Sequence, residues 1–156
     1  MLVGPARRGD LAQIVALNVA ADDAERAFSP DLVIRRPDLR LARRTFVAAL
    51  RDPDQRLLVA RVGHTLVGML GVDLHRARHR YVVVRRHAYL HSLYVAPAFR
   101  GQRIARQLVR LGLRHAARRG AQQVRLEMAA ANGAARRLYE AAGFRLREMM
   151  FTRDLR

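Results

Sequence analysis

Apolar residues recur along this chain in two rhythms, one of about 3.6 residues and one of alternate positions, with Gly and Pro at the changeovers. Residues 2–5 read as a short edge strand. Asp10 is placed to cap a helix whose apolar positions Leu11, Ile14, Val15 and Leu17 keep the helical rhythm. Ser29, Pro30 and Pro37 break the next stretch. A second helix is predicted from near Asp38, carrying Leu41, Phe46, Val47 and Leu50 until Pro53 stops it. Residues 57–62 and 65–74 read as a β-hairpin turning at Gly63 and His64. Residues 80–95 read as strand with a break at Arg85, Arg86 and His87, and Pro97 ends it.

A long helix is predicted over 101–119, with Ile104, Leu108, Leu111 and Ala116 on one face and Arg106, Arg110, Arg114 and Arg118 on another. Gly120 ends it. Val124, Leu126 and Met128 alternate with Arg125 and Glu127 as a strand. Asn132 is placed to cap a short helix containing Ala135, Leu138, Tyr139 and Ala142, closed by Gly143, and 144–152 reads as a last strand. The order β-α-α-β-β-β-α-β-α-β predicts a mixed α/β domain, with 101–119 as a crossover between parallel strands. No repeat or linker divides it, so residues 1–156 form a single domain.

Composition narrows the class. The 156 residues are 51% hydrophobic, enough for a real core, and no apolar run approaches the roughly 20 residues that span a bilayer. The first residues show no signal-peptide pattern, so a cytoplasmic protein with no membrane association is expected. Cysteine is absent, which excludes disulfides, a thiol nucleophile and thiolate metal sites. The 30 basic residues are all arginine and face 13 acidic ones, a net charge of +17 that suits an anionic partner. No acidic residue stands between Asp73 and Glu127, so the middle of the chain is strongly cationic.

The chemistry concentrates where strand gives way to helix, from Leu93 and Tyr94 through Val95 and Pro97 to Arg100, Gly101, Gln102, Arg103, Ile104, Ala105 and Arg106. A helix start has unpaired N–H groups and the positive end of the dipole, so it binds anions. Gly101 permits close approach of the backbone, and Arg100, Arg103 and Arg106 add charge. From these residues alone, a phosphate site and a capped helix with a solvated arginine face both stand. The stretch resembles the pyrophosphate-binding signature of the GNAT acyltransferase superfamily, Arg/Gln-x-x-Gly-x-Gly/Ala after a Leu-x-Val strand end and a proline. Arg100 fills the first position, Ile104 the fifth and Ala105 the sixth; Arg103 stands where the family usually has glycine. The segment from Asn132 through Leu138 and Tyr139 to Gly143 and Phe144 resembles the family's C-terminal Asn-(x)5-Leu-Tyr-x-x-x-Gly-Phe pattern. Alone, it would place Tyr139 in a packed core.

The resemblance implies a central, mostly antiparallel twisted sheet flanked by about four helices and splayed between the strand ending at Val95 and the strand 123–128. Acetyl-CoA, as co-substrate and with no metal, would lie in the opening. Backbone groups of Leu93, Tyr94 and Val95 would hold the acetyl and pantetheine parts. N–H groups of Gly101, Gln102, Arg103, Ile104, Ala105 and Arg106 would take the pyrophosphate, with Arg100 beside them. Asn132 would contact the pantetheine arm, and the Tyr139 hydroxyl would protonate the leaving thiolate. The implied activity is N-acetylation of a primary amine, small molecule or protein, by direct attack in a ternary complex, and the family's habits allow a homodimer.

An alkylamine is protonated at neutral pH, so a base is needed. Many family members carry a glutamate on the strand before the Leu-x-Val end; here His91 and Ser92 stand there. His91 is the candidate base, against the plainer reading of a strand histidine hydrogen-bonded nearby; Glu127 and a water relay are the alternatives. By strict alternation His91 shares a face with Leu93 and Val95, unless a bulge intervenes. Asp22, Asp23 and Glu25 stand between the first two helices and attract an amine or merely solvate a helix end. Arg76, Arg78, Arg80, Arg85 and Arg86, with His75, His79 and His87, suit a nucleic-acid backbone, though the basic flank of a hairpin is the plainer reading. A non-catalytic acyl-CoA-binding module and an enzyme that uses a longer acyl-CoA are the remaining alternatives.

Overall fold

A computed structural model describes residues 1–28, 38–77, 83–153 and 155. In chain order the elements are β1 (Leu2–Pro5), a 3₁₀ turn (Arg8–Asp10), α1 (Leu11–Glu25), α2 (Leu39–Ala49), β2 (Gln55–Val62) and β3 (Thr65–Arg76). There follow β4 (Arg86–Val95), a second 3₁₀ turn (Pro97–Phe99), α3 (Ile104–Arg118), β5 (Gln123–Arg125) and α4 (Gly133–Ala141). The strands form one sheet in sequence order, β1-β2-β3-β4-β5. Its first three pairings are antiparallel and β4–β5 is parallel, with α3 as the crossover.

Both faces of the sheet are covered, which explains why β2 and β3 are apolar almost without interruption. On one face Leu58, Ala60, Leu70, Val72, Ala88 and Leu90 pack against Ile104, Leu108, Val109 and Ala116 of α3. On the other, Leu57, Val59, Leu66 and Met69 pack against Ile14 and Leu17 of α1 and Phe46 and Ala49 of α2. Gly112 sets how close α3 lies, because a Cβ there would come within 2.9 Å of Leu70 Cδ2.

Helix ends follow local chemistry. Asp38 caps α2, accepting from the N–H groups of Arg40 and Leu41 at 2.9 and 3.1 Å. Gly120, at φ +74°, ends α3 with Ala121 N–H donating to the Ala116 carbonyl and Gly120 N–H to that of Ala117. Asp10 does not cap α1. Its carboxylate accepts from the Arg7 N–H at 2.7 Å and from Arg61 at 2.7 Å, pinning the chain start to β2 instead.

The predicted order holds up to the last strand and then departs. The helix predicted over 101–119 begins only at Ile104, because 101–103 form the turn that enters it. Of the strand predicted over 123–128 only Gln123–Arg125 pairs, and 144–152 contains no strand. With β5 so short, the sheet offers residues 144–152 almost no edge to pair with, and Leu146, Met149, Met150 and Phe151 stand exposed. Strand β4 starts at Arg86, after the Arg85 break. The breakers at 29, 30 and 37 and the strand start at 80–82 lie outside the described residues.

Two imidazoles are half-buried beside arginines, and His87 Nδ1 and His115 Nε2 have no hydrogen-bond partner among the described residues. Burial lowers the pKa of His87, reinforced by Arg125 and His75; burial lowers that of His115, reinforced by Arg56, Arg119 and Arg118. The unfolded chain therefore takes up these protons first, as pH falls below the ordinary imidazole value of about 6.5. The contribution to stability is full above that pH and is lost as pH drops toward the lower folded values. Thermal melts should show the midpoint falling on acidification from about pH 7.5 to about pH 5. A double His87→Gln, His115→Gln variant should have a flatter profile; an equally steep one would assign the acid sensitivity elsewhere.

Candidate active site

Strands β4 and β5 pair over His87–Gln123, Ala88–Val124 and Tyr89–Arg125, and no further. Beyond Tyr89 the two chains separate, leaving the outer edge of β4 from Leu90 to Val95 without a strand partner among the described residues. A bulge lies just beyond, within β4. Gly71 pairs with His91 and Met69 with Tyr94, so two residues, Ser92 and Leu93, face Leu70 alone. Ser92 takes φ +52°, in the left-handed region. Such a bulge bends the strand and adds twist.

The bulge also resets which side chains share a face. Ala88 and Leu90 point toward α3, and after the bulge Leu93 and Val95 do so again. His91 faces the other way, over Gly71, on the side where Tyr94 packs against the α1–α2 core. His91 is thus parted from Leu93 and Val95, with which strict alternation would have placed it.

At the end of β4 the chain turns through Pro97–Phe99 into α3. Arg100 Nε donates to the Val95 carbonyl at 3.1 Å, and its guanidinium lies 5.8 Å from the Tyr94 ring centroid. Gly101 takes φ +77°, and Arg103, the N-cap of α3, takes φ +61°. Arg103 therefore adopts the backbone that glycine favours. No side chain caps α3, and its first bond runs from the Gln107 N–H to the Arg103 carbonyl. The N–H groups of Ile104, Ala105 and Arg106 are left pointing out of the helix end, with exposed Gly101, Gln102, Arg103 and Arg106 around them. Dipole, donors and positive charge thus coincide at this helix end.

Helix α4 packs Leu138 and Tyr139 against the α3-side core. The Asn132 carboxamide accepts from the Ala135 N–H at 3.0 Å, so its oxygen caps the helix. Gly143, at φ +89°, ends α4 with Phe144 N–H donating to the Tyr139 carbonyl and Gly143 N–H to that of Glu140. This Schellman ending brings Phe144 back onto Tyr139, edge to face with centroids 5.7 Å apart. The Gly143–Phe144 pair thereby fixes the ring that carries the candidate acid. Burial pushes the Tyr139 pKa up to about 12, reinforced by the charge of Glu25 and by Tyr89. Tyr89 is itself raised by burial and by Glu127. The hydroxyl of Tyr139 therefore holds its proton throughout the neutral range. Of the acidic trio at 22, 23 and 25, Glu25 acts on Tyr139, Asp23 pairs with Arg26 at 2.8 Å, and Asp22 accepts from Asn18 at 3.1 Å.

Two residues absent from the sequence-based candidates enter here. Tyr89 sits at the last β4–β5 pair. Asp73 reaches His91, with Oδ1 3.2 Å from Nε2. An aspartate in the middle of an apolar strand is a signal the sequence did carry, since Asp is depleted in strands. What it touches depended on register. Of the basic cluster at 75–87, Arg76, Arg85 and Arg86 line a shallow groove of about 340 Å³, and His75 stacks on His87 at 5.3 Å. Arg78, His79 and Arg80 lie outside the described residues. A larger open groove, about 500 Å³, runs among Arg40, Arg43 and Arg44 of α2 and Arg51 just beyond it, and includes none of the residues at the β4–β5 parting.

Residues 19–144 match the family model described as the acetyltransferase (GNAT) family. No curated protein sequence matches the chain. Among solved structures, the F44R mutant of a Bacillus halodurans protein aligns with TM-score 0.88 at 18% identity, covering 99% of each chain. A Clostridium acetobutylicum protein described as a predicted acetyltransferase, solved with acetyl-CoA, aligns at 0.80 and 16%, covering 98% of this chain and 95% of that one. The apo aminoglycoside antibiotic 6'-N-acetyltransferase of Acinetobacter haemolyticus aligns at 0.74 and 16%, covering 100% and 99%. At these identities the likeness is one of fold.

The left-handed backbone at Arg103 carries a cost of about 1 kcal/mol that glycine would not incur. Arg103→Gly should therefore raise the urea midpoint, whereas Arg103→Ala, which keeps a Cβ at the same φ, should not. Equal midpoints for the two variants would mean that the turn is unstrained.

Proposed function

The chain belongs to the GNAT acetyltransferase family, and from that premise we propose that it transfers the acetyl group of acetyl-CoA to a primary amine, which attacks the thioester directly in a ternary complex. The observation that carries this reading is the parting of β4 from β5 beside an uncapped, arginine-rich helix start. A thioester arm needs an extended slot with free backbone groups, and a pyrophosphate needs N–H donors with positive charge. Both lie next to each other along one stretch of chain, and a protein described as a predicted acetyltransferase with the same fold was solved with acetyl-CoA.

In this reading the backbone of Leu93, Tyr94 and Val95 holds the acetyl and pantetheine parts. The N–H groups from Gly101 to Arg106 take the pyrophosphate, with Arg100, Arg103 and Arg106 supplying charge. The amide nitrogen of Asn132, whose oxygen is committed to the helix cap, is the part of that side chain left for the pantetheine arm. Acetyl-CoA supplies the activated acyl group. His91, the imidazole on the open segment of β4, takes the proton of the incoming ammonium. Tyr139, protonated and fixed by Phe144, gives its proton to the leaving thiolate. Positioning and donors aimed at the developing oxyanion supply the rest of the acceleration. The acceptor class is that of a primary amine, as for the aminoglycoside acetyltransferases that share the fold.

Calorimetric titration with acetyl-CoA should show one-to-one binding that persists as salt is raised, with dephospho-CoA and ATP binding more weakly. Binding that vanishes with salt and is no better than that of ATP would remove the proposed site. With an amine panel, Tyr139→Phe should lower turnover on the order of 10²-fold while leaving acetyl-CoA affinity unchanged. Equal turnover would clear Tyr139 of the acid role.

A further inference from the structure

At the parting of β4 and β5 three side chains form one hydrogen-bonded chain. Asp73 Oδ1 lies 3.2 Å from His91 Nε2, and His91 Nδ1 lies 3.1 Å from Ser92 Oγ. A carboxylate only accepts, so in the neutral imidazole Nε2 carries the hydrogen and Nδ1 turns its lone pair to the serine hydroxyl. Gly71 makes this arrangement possible, because a Cβ at that position would collide with the His91 ring. Ser92 is held at φ +52° in the middle of a strand, a conformation that costs a non-glycine residue on the order of 1 kcal/mol. A hydroxyl within reach of a base, with the base oriented by a carboxylate, is the arrangement that activates a serine for attack on a carbonyl. The His91 and Asp73 side chains are 32% and 28% exposed, so water reaches them. Ser92 is followed directly by the backbone groups of Leu93, Tyr94 and Val95 on the unpaired edge of β4.

We propose that Ser92 is a nucleophile and that the protein has a second activity, hydrolysis of an acyl-CoA thioester in the absence of amine through an O-acylated Ser92. The inference rests on the acetyl-CoA reading above for its acyl donor. Ser92 Oγ gives its proton to His91 Nδ1 as it bonds to the acyl carbon. The C–S bond breaks, the sulfur keeps the electron pair, and the proton held on His91 passes to it to give the free thiol. Water then gives a proton to His91 while its oxygen bonds to the ester carbon; the C–Oγ bond breaks and Ser92 recovers its proton. One thioester and one water become one carboxylic acid and one thiol, with no change in oxidation state. Asp73 is a positioning residue that acts through His91. When an amine is present it competes with water and with Ser92 for the same acyl group.

The full chain is treated separately with a fluorophosphonate, which reports serine activation without any CoA site, and with acetyl-CoA without amine. Peptide mass mapping reads the modified residue, thiol release reads hydrolysis, and calorimetry reads acetyl-CoA binding in the same samples. The expected result is phosphonyl and acetyl groups on Ser92, and thiol release that falls on the order of 10²-fold in Ser92→Gly. Glycine suits the left-handed backbone, so that variant should melt no lower than the natural protein. Asp73→Asn should lower kcat for thiol release without raising KM for acetyl-CoA. Acetyl-CoA that binds while both reagents leave Ser92 unmodified overturns this inference and spares the transferase reading. Phosphonylated Ser92 with no acetyl-CoA binding supports the activated serine and overturns the transferase reading.

Discussion

The structure turns on one strained peptide unit, the left-handed Ser92 in β4. Before it, β4 is an ordinary interior strand, bonded to β3 on one side and β5 on the other. Pairing with β5 ends at Tyr89, and at Ser92 one extra residue enters and the strand bends. His91, just before the bulge, lies over Gly71 and reaches Asp73, while the bulge returns Leu93 and Val95 to the α3 core. The outer edge of β4 from Leu90 to Val95, without a strand partner among the described residues, spans that local insertion. Packing on both faces holds it there, with Met69 and Leu70 buried on opposite sides of the paired strand.

The ends of α3 and α4 do complementary work. The start of α3 is left uncapped and ringed with arginine, so its dipole and N–H groups face outward. Helix α4 is closed at both ends, by Asn132 and by Gly143, and the second closure seats Phe144 against Tyr139. One helix thus offers an unsatisfied terminus and the other a fixed hydroxyl. The contrast has a simple source: an open end is useful where an anion must bind, and a closed one where a side chain must not move. The charge distribution follows the same division. The acid-free stretch from 74 to 126 includes the whole of β4 and α3, while Glu25 and Glu127 act on the tyrosines.

Much of this was legible in the chain. The helices, the hairpin and the strand into Val95 follow from residues that act locally: Asp38 as a cap, Gly120 and Gly143 as stops, and apolar positions at the two rhythms. The paired motifs at 93–108 and 132–144 pointed to the family, and the family model covers both. Arg103 in a glycine position was readable as a departure, but only the structure shows its φ of +61°. The strand expected over 144–152 failed for a non-local reason. Its own residues alternate well enough, but a strand exists only beside an edge, and β5 ends at Arg125.

The sequence by itself determined most of the element types, the gathering of Gly101 and three arginines at the α3 start and the family, because each depends on residues close together in the chain. Tertiary structure alone decided the register of β3 against β4, and with it the meeting of Asp73 and His91 across 18 positions. It also decided the convergence of Glu25, Tyr89 and Tyr139 from three separate elements. A bulge shifts every later side chain to the opposite face, and nothing in the alternation of residues 86–95 marks where the extra residue lies. The face of this strand away from α3 is only partly covered and carries His91 and Tyr94, so hydrophobic pattern does not choose between registers, and only the packed sheet can.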